Sequence, residues 1–167
     1  MVAELKIKKR HAIKKSQLNT LKSKLTESIG IENSDLFKSN MIEIAETVSE
    51  FNLYIINKVV MIMETEEWAF PTLRGVLSHP ISGHKIVVDM GAVPYVVNGA
   101  DIMRPGVVSV SDDVIENHPA LIVDERNGSP LSISIPLYNA DKIMALNSGK
   151  IAKNVHFIGD DLWNLDI

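Results

Sequence analysis

The sequence predicts an α+β protein: a small N-terminal α/β module followed by a C-terminal closed or nearly closed β-barrel. Three observations predict it. The chain has 167 residues, one large domain or two small ones at about 150 residues per domain. Its texture breaks across Leu77-Ser78-His79-Pro80-Ile81-Ser82-Gly83-His84, a Pro, Gly and Ser cluster that separates residues 1–81 from 82–167. Beyond the break, short apolar strands recur between turn signals, the pattern of a small barrel.

In the first module, residues 4–13 (from Glu4 through Leu5 and Ile7 into charges) read as a strand that becomes basic. Leu18, Leu21, Leu25 and Ile29 recur at spacings of three and four, which predicts an amphipathic helix with Ser16 as N-cap and Gly30 as its stop. Residues 41–48, 51–56 and 59–63 predict antiparallel strands of a small sheet. Residues 71–77 predict a short helix with Pro71 in its first turn.

In the second module, strands are expected at 85–89, 106–110, 120–124, 131–137 and 155–158. Asn127-Gly128 marks a hairpin between the third and fourth. Asn139 caps a short helix that Asn147-Ser148-Gly149 closes.

Composition excludes several classes. With no cysteine there is no disulfide scaffold, no thiolate metal site and no cysteine nucleophile. The longest apolar run, 53–63, is interrupted by Asn57 and Lys58 and falls short of the roughly 18 residues of a membrane span. The lysine-rich start lacks the apolar segment of a signal peptide, so a cytoplasmic protein is expected. The net charge of −4 argues against a nucleic-acid partner only until it is divided along the chain. Residues 1–24 carry eight basic residues and one acid, whereas residues 25–80 and 81–167 are both acidic.

The densest chemistry lies in Val88-Asp89-Met90-Gly91-Ala92 and Gly99-Ala100-Asp101-Ile102-Met103-Arg104-Pro105-Gly106. A strand, a glycine, one or two helical turns over 93–97 and a second glycine turn make a corner whose amides could accept an anion beside Arg104. Spacing alone favours the other reading, a tight barrel corner that needs small residues for packing. No G-x-G-x-x-G or Walker sequence occurs. Asp89 suits accepting backbone N–H bonds better than neighbouring a phosphate. His156 and Asp160 lack a third ligand, Ser16, Ser39 and the histidines form no triad, and Trp163 reads as a plug for the barrel mouth.

Residues 82–163 resemble a PUA domain. The resemblance is carried by Val88-Asp89-x-Gly91-Ala92, Gly99-Ala100-x-x-Met103-x-Pro105-Gly106, Lys150, Asn154-Val155-His156 and Asp160-x-Leu162-Trp163. With Pro71-Thr72-Leu73-Arg74 upstream, the whole chain is similar to the malignant T-cell amplified sequence family and its archaeal relatives. The resemblance implies a PUA pseudo-barrel, RNA binding without catalysis or cofactor, and a role in translation on the small ribosomal subunit. It also implies an initiation-factor-like protein partner.

On that basis the expected RNA contacts are Gly91, Ala92, Gly99, Ala100, Met103, Arg104, Lys150, Lys153 and His156. Lys8, Lys9, Arg10, Lys14 and Lys15 add phosphate neutralisation, or form only a solvated charged face. Nine aromatics give poor support to a base-stacking platform, which favours recognition of a stem or duplex end by shape. Two other readings stay open. One is RNA modification with the PUA half as substrate grip, for which Asp35 is the only aspartate before residue 89. The other is a protein adaptor docking through the acidic segment 25–80.

Overall fold

The computed structural model describes residues 5–29, 34–38 and 41–167. Glu4, Gly30, Ser39 and the side chain of Asp35, all named above, lie outside the described residues. The chain divides between Pro80 and Ile81 into two compact units.

The first unit lays helices against an antiparallel sheet. Strands β1 (Ile7–Ala12), β2 (Ile42–Thr47), β3 (Asn52–Ile56), β4 (Val59–Glu64) and β5 (Ala69–Pro71) follow one another in that order. The β3–β4 hairpin turns through Asn57 and Lys58, both at positive φ (52° and 66°), as a two-residue type I′ connection requires. Helix α1 (Lys15–Ile29) buries Leu21 and Leu25 among Ile42, Ile44, Tyr54 and Ile62. Its cap differs from expectation. Ser16 sits inside the first turn, and the Gln17 side chain instead accepts the Lys14 amide at 2.9 Å, one half of a capping box.

Pro71 also changes role. It closes β5, a strand of three residues that no periodicity could announce, and Thr72 caps α2 (Leu73–Ser78). The Thr72 hydroxyl donates to the Val60 carbonyl (2.8 Å) and accepts from the Gly75 amide (3.1 Å).

The second unit contains β6 (Lys85–Val88), α3 (Val93–Val96), β7 (Ile102–Met103), β8 (Val107–Val110), β9 (Ala120–Asp124), β10 (Pro130–Pro136), α4 (Ala140–Ala145) and β11 (Lys150–Phe157). Its sheet runs β7-β11-β10-β9-β6-β8, with β6 and β9 parallel and the other pairs antiparallel. The two outer strands, β7 and β8, are joined by one 3-10 turn, Arg104–Gly106. Three residues reach about 10 Å, whereas the edges of a flat six-stranded sheet stand about 24 Å apart. The sheet therefore rolls into a half-barrel around Ile86, Val88, Ile102, Ile122 and Ile151. Although β10 alternates apolar residues with serine, both faces are covered: Ser132 and Ser134 are fully buried and share a hydrogen bond of 3.0 Å.

Two turns depart from their sequence signals. The β9–β10 connection is organised less by Asn127-Gly128 than by Asp124, whose carboxylate accepts the amides of Asn127 (2.6 Å), Arg126 (2.8 Å) and Ser129 (3.2 Å). Asn139 stands at the start of α4 but makes no side-chain cap; its side-chain oxygen Oδ1 accepts the Glu116 amide at 2.9 Å and pins the β8–β9 loop. Among the described residues no helix is long and apolar enough to cross a membrane.

Thr72→Ala removes a buried hydroxyl that serves two backbone groups. Urea unfolding of the variant is expected to show a loss of about 1–2 kcal/mol with an unchanged denaturant slope.

Candidate RNA interface

The corner between β6 and β7 is built from small residues for identifiable reasons. Gly99 adopts φ +93°, and a Cβ there would lie 2.9 Å from the Phe157 ring. A Cβ on Gly106 would meet the Ala92 Cβ at 3.0 Å. Both glycines answer to close packing, as the packing reading of the motif held. Gly91 and Ala100 are exposed and face a groove of about 350 Å³.

Asp89 does what its chemistry suggested: its carboxylate accepts the Ala92 amide at 2.9 Å. That bond uses one of the amides expected to meet phosphate and sets a negative charge on the groove wall. The remaining walls are largely apolar, formed by Tyr95, Met103, Pro105 and Ala100. Tyr95 is 69% exposed and Met103 49%.

Strand β11 fastens this corner. The Asn154 side-chain amide donates to the carbonyls of Val96 and Ala100, each at 3.0 Å, from a position only 1% exposed. Its backbone N–H donates to the Asp101 carboxylate (3.0 Å), which also pairs with Lys150 at 2.9 Å. Partial burial works to raise the Asp101 pKa, but Lys150 and the Asn154 amide outweigh it and hold the carboxyl below its ordinary range. Lys150 stands opposite Met103 in the β7–β11 ladder, and Lys153 is exposed on the same strand.

Two expected contacts, Arg104 and His156, have other occupations, and the expected plug, Trp163, is replaced by its neighbour. The Arg104 guanidinium donates to the carbonyls of Val107 (3.1 Å) and Met144 (3.2 Å), and its amide donates to Gly149 (2.8 Å), so it stitches the β7–β8 turn to the segment before β11. His156 is 1% exposed, too buried to meet a ligand, and its Nδ1 lies 2.9 Å from Asp160. Trp163 is half-buried, and the buried apolar residue of that turn is Leu162.

The basic segment belongs to the first unit. Lys8, Lys9 and Arg10 lie on β1, an outer strand whose lysines also guard an unpaired sheet edge against association. Arg10 forms a two-pronged pair with Glu43 (3.1 and 2.9 Å), and Lys9 lies 3.9 Å from Glu46. Lys8, Lys14 and Lys15 are exposed.

Tyr95 is the residue that sequence reasoning missed. Its signal was an aromatic between Pro94 and the core residue Val96 on a single helical turn, one face of which must point outward.

A half-barrel closed through a three-residue turn, with a short helix and a small-residue groove at one corner, is the architecture of a PUA domain. The PUA domain family model matches residues 84–158, and a domain of unknown function (DUF1947) matches residues 9–79. An uncharacterised protein of Methanocaldococcus jannaschii is 31% identical over 162 residues, covering 96% of this chain and 98% of the relative. Translation machinery-associated protein 20 of Eremothecium gossypii is 30% identical over 169 residues, covering 95% and 93%. A crystal structure of a hypothetical protein from Pyrococcus horikoshii superposes with a TM-score of 0.82 at 27% identity, covering 93% and 98%. The chain belongs to this PUA-domain family, which includes translation machinery-associated protein 20 and the malignant T-cell-amplified sequence proteins.

Two outcomes follow from the corner. Asn154→Ala strips hydrogen bonds from two carbonyls; amide exchange over residues 96–101 should accelerate, with a stability loss of about 1–3 kcal/mol. Asp160 gives a pH dependence. Burial alone would raise its pKa, but His156 and the amides of Trp163 and Phe157 overcome that and depress it. A depressed folded-state value stabilises fully at neutral pH and is lost as pH falls from the ordinary carboxylate range through the lower folded value. Acid unfolding below about pH 4 should therefore be less steep for Asp160→Asn than for the unaltered chain.

Proposed function

We propose that the chain is a non-enzymatic, cytoplasmic RNA-binding protein of the translation machinery. It takes structured RNA, a tRNA or small-subunit rRNA, during initiation or ribosome recycling. The observation that carries the reading is the groove at the PUA corner, walled by exposed Tyr95 and Met103 with Lys150 across the ladder from Met103. An apolar groove beside Asp89 suits an unpaired base and its ribose better than a phosphate. The phosphates on either side fall to Lys150 and Lys153, with Lys8, Lys14 and Lys15 as a second basic set. The names of the translation machinery-associated relatives agree with a role in translation.

The same exposed Tyr95 and Met103 favour a second reading, in which an initiation-factor-like protein seats an apolar side chain in this groove. Salt separates the two. RNA binding should weaken linearly in log affinity against log salt. Lys150→Ala with Lys153→Ala should reduce that slope by about 1–2, and Tyr95→Ala should lower affinity with the slope unchanged. An intact chain that binds no structured RNA at low ionic strength, yet retains a protein partner after nuclease treatment, would favour the second reading over the first.

A further inference from the structure

Of the three glycines at the PUA corner, the fold requires two and leaves the third unexplained. A Cβ at Gly99 would strike the Phe157 ring, and one at Gly106 would meet the Ala92 Cβ at 3.0 Å. Gly91 is exposed and has no positive φ. Beyond its chain neighbours, a Cβ added there would come within 4 Å of one atom, the Asp89 carboxylate oxygen Oδ1, at 3.3 Å. Neither a left-handed backbone nor close packing against the core therefore calls for glycine at this position. What its small size does is keep the groove open beside the Asp89 carboxylate.

Two carboxylates line that groove, and they differ. Asp101 is paired with Lys150 at 2.9 Å and accepts the Asn154 amide through its other oxygen. Asp89 Oδ1 accepts the Ala92 amide at 2.9 Å. Among the described residues, Asp89 Oδ2 accepts no hydrogen bond and no basic side chain pairs with this carboxylate. Backbone amides and the Tyr95 hydroxyl share the lining, but they are neutral and leave the negative charge in place.

A charged acceptor on the wall of an apolar groove favours a ligand edge that donates and repels one that accepts. The nucleobases divide on this point. Adenine, cytosine and guanine each carry an exocyclic amino group, and carboxylate side chains accept from such groups. Uracil offers one N–H between two carbonyl oxygens. Building on the RNA reading above, we propose that Asp89 is the specificity-determining residue of the groove. It accepts the amino group of an unpaired adenine, cytosine or guanine and discriminates against uracil, while Gly91 keeps the carboxylate accessible.

The test measures binding of the intact chain, at low salt, to hairpin RNAs that differ only in one unpaired terminal nucleotide: A, C, G or U. The uridine version is expected to bind about tenfold more weakly than the other three. In Asp89→Asn, one side-chain oxygen still accepts the Ala92 amide, and an NH2 donor suited to the uracil carbonyls replaces the other. The discrimination should fall to about twofold or less. Loss of the charge strengthens attraction to the phosphates of all four RNAs alike, so the readout is the ratio between them. Gly91→Val, which adds bulk beside the carboxylate, should reduce the same ratio with an unchanged thermal melt, and it carries the test alone if Asp89→Asn melts early. Equal affinity for the four RNAs, or a ratio preserved in a folded variant, would overturn this inference while leaving RNA binding intact. Failure of all four RNAs to bind would overturn the RNA reading itself, and this inference with it.

Discussion

Arg104, Pro105 and Gly106 join the two outer strands of the six-stranded sheet, and the architecture of the second unit depends on that short connection. A connection of three residues cannot bridge a flat sheet, so the strands must roll until β7 and β8 come together. Rolling places α3 over one corner and leaves a groove where Gly91, Ala92, Ala100 and Gly106 carry little or no side chain. Arg104 anchors the join to two carbonyls, and Asn154 anchors α3 to the last strand. The groove follows from how the barrel closes.

The acidity of this unit looks unfavourable for a partner made of phosphates. Its carboxylates explain part of that charge. Asp89, Asp101, Asp124 and Asp160 each accept at least one backbone amide, and Asp101 and Asp160 also face Lys150 and His156. These four act as caps for turns and strand ends, and for Asp101, Asp124 and Asp160 the hydrogen bonds favour the ionised form. The basic residues divide in a similar way. Arg10, Lys24 and Arg104 are bound within the protein, while Lys8, Lys14, Lys15 and Lys153 face solvent. A sequence count of charges cannot separate these groups.

Long periodic elements were legible in the sequence, and so was the PUA resemblance. The α1 stripe of Leu21 and Leu25, the apolar run of β9 and the strands flanking Asn57-Lys58 carry enough repeats to announce themselves. β5 and β7, with three and two residues, are defined by the neighbours they pair with and have no pattern of their own. Polar residues near element ends were assigned by type, and tertiary contacts decided otherwise. Gln17 takes the capping role expected of Ser16, Thr72 caps the helix whose first turn was expected to hold Pro71, and Asn139 turns to Glu116. The site was legible as a segment but less so residue by residue. Its glycines and alanines stood out, whereas the internal bonds of Arg104, the burial of His156 and the exposure of Tyr95 depend on which side chain the rolled sheet turns outward.

The proposed function requires RNA to lie in the PUA corner groove. Photocrosslinking of the intact protein to structured RNA, with the crosslinked peptides mapped by mass spectrometry, tests that directly. Crosslinks on Tyr95 or Met103 and on the peptide containing Lys150 and Lys153 are the expected result. Crosslinks confined to residues 5–29, with the corner unmarked, would contradict it.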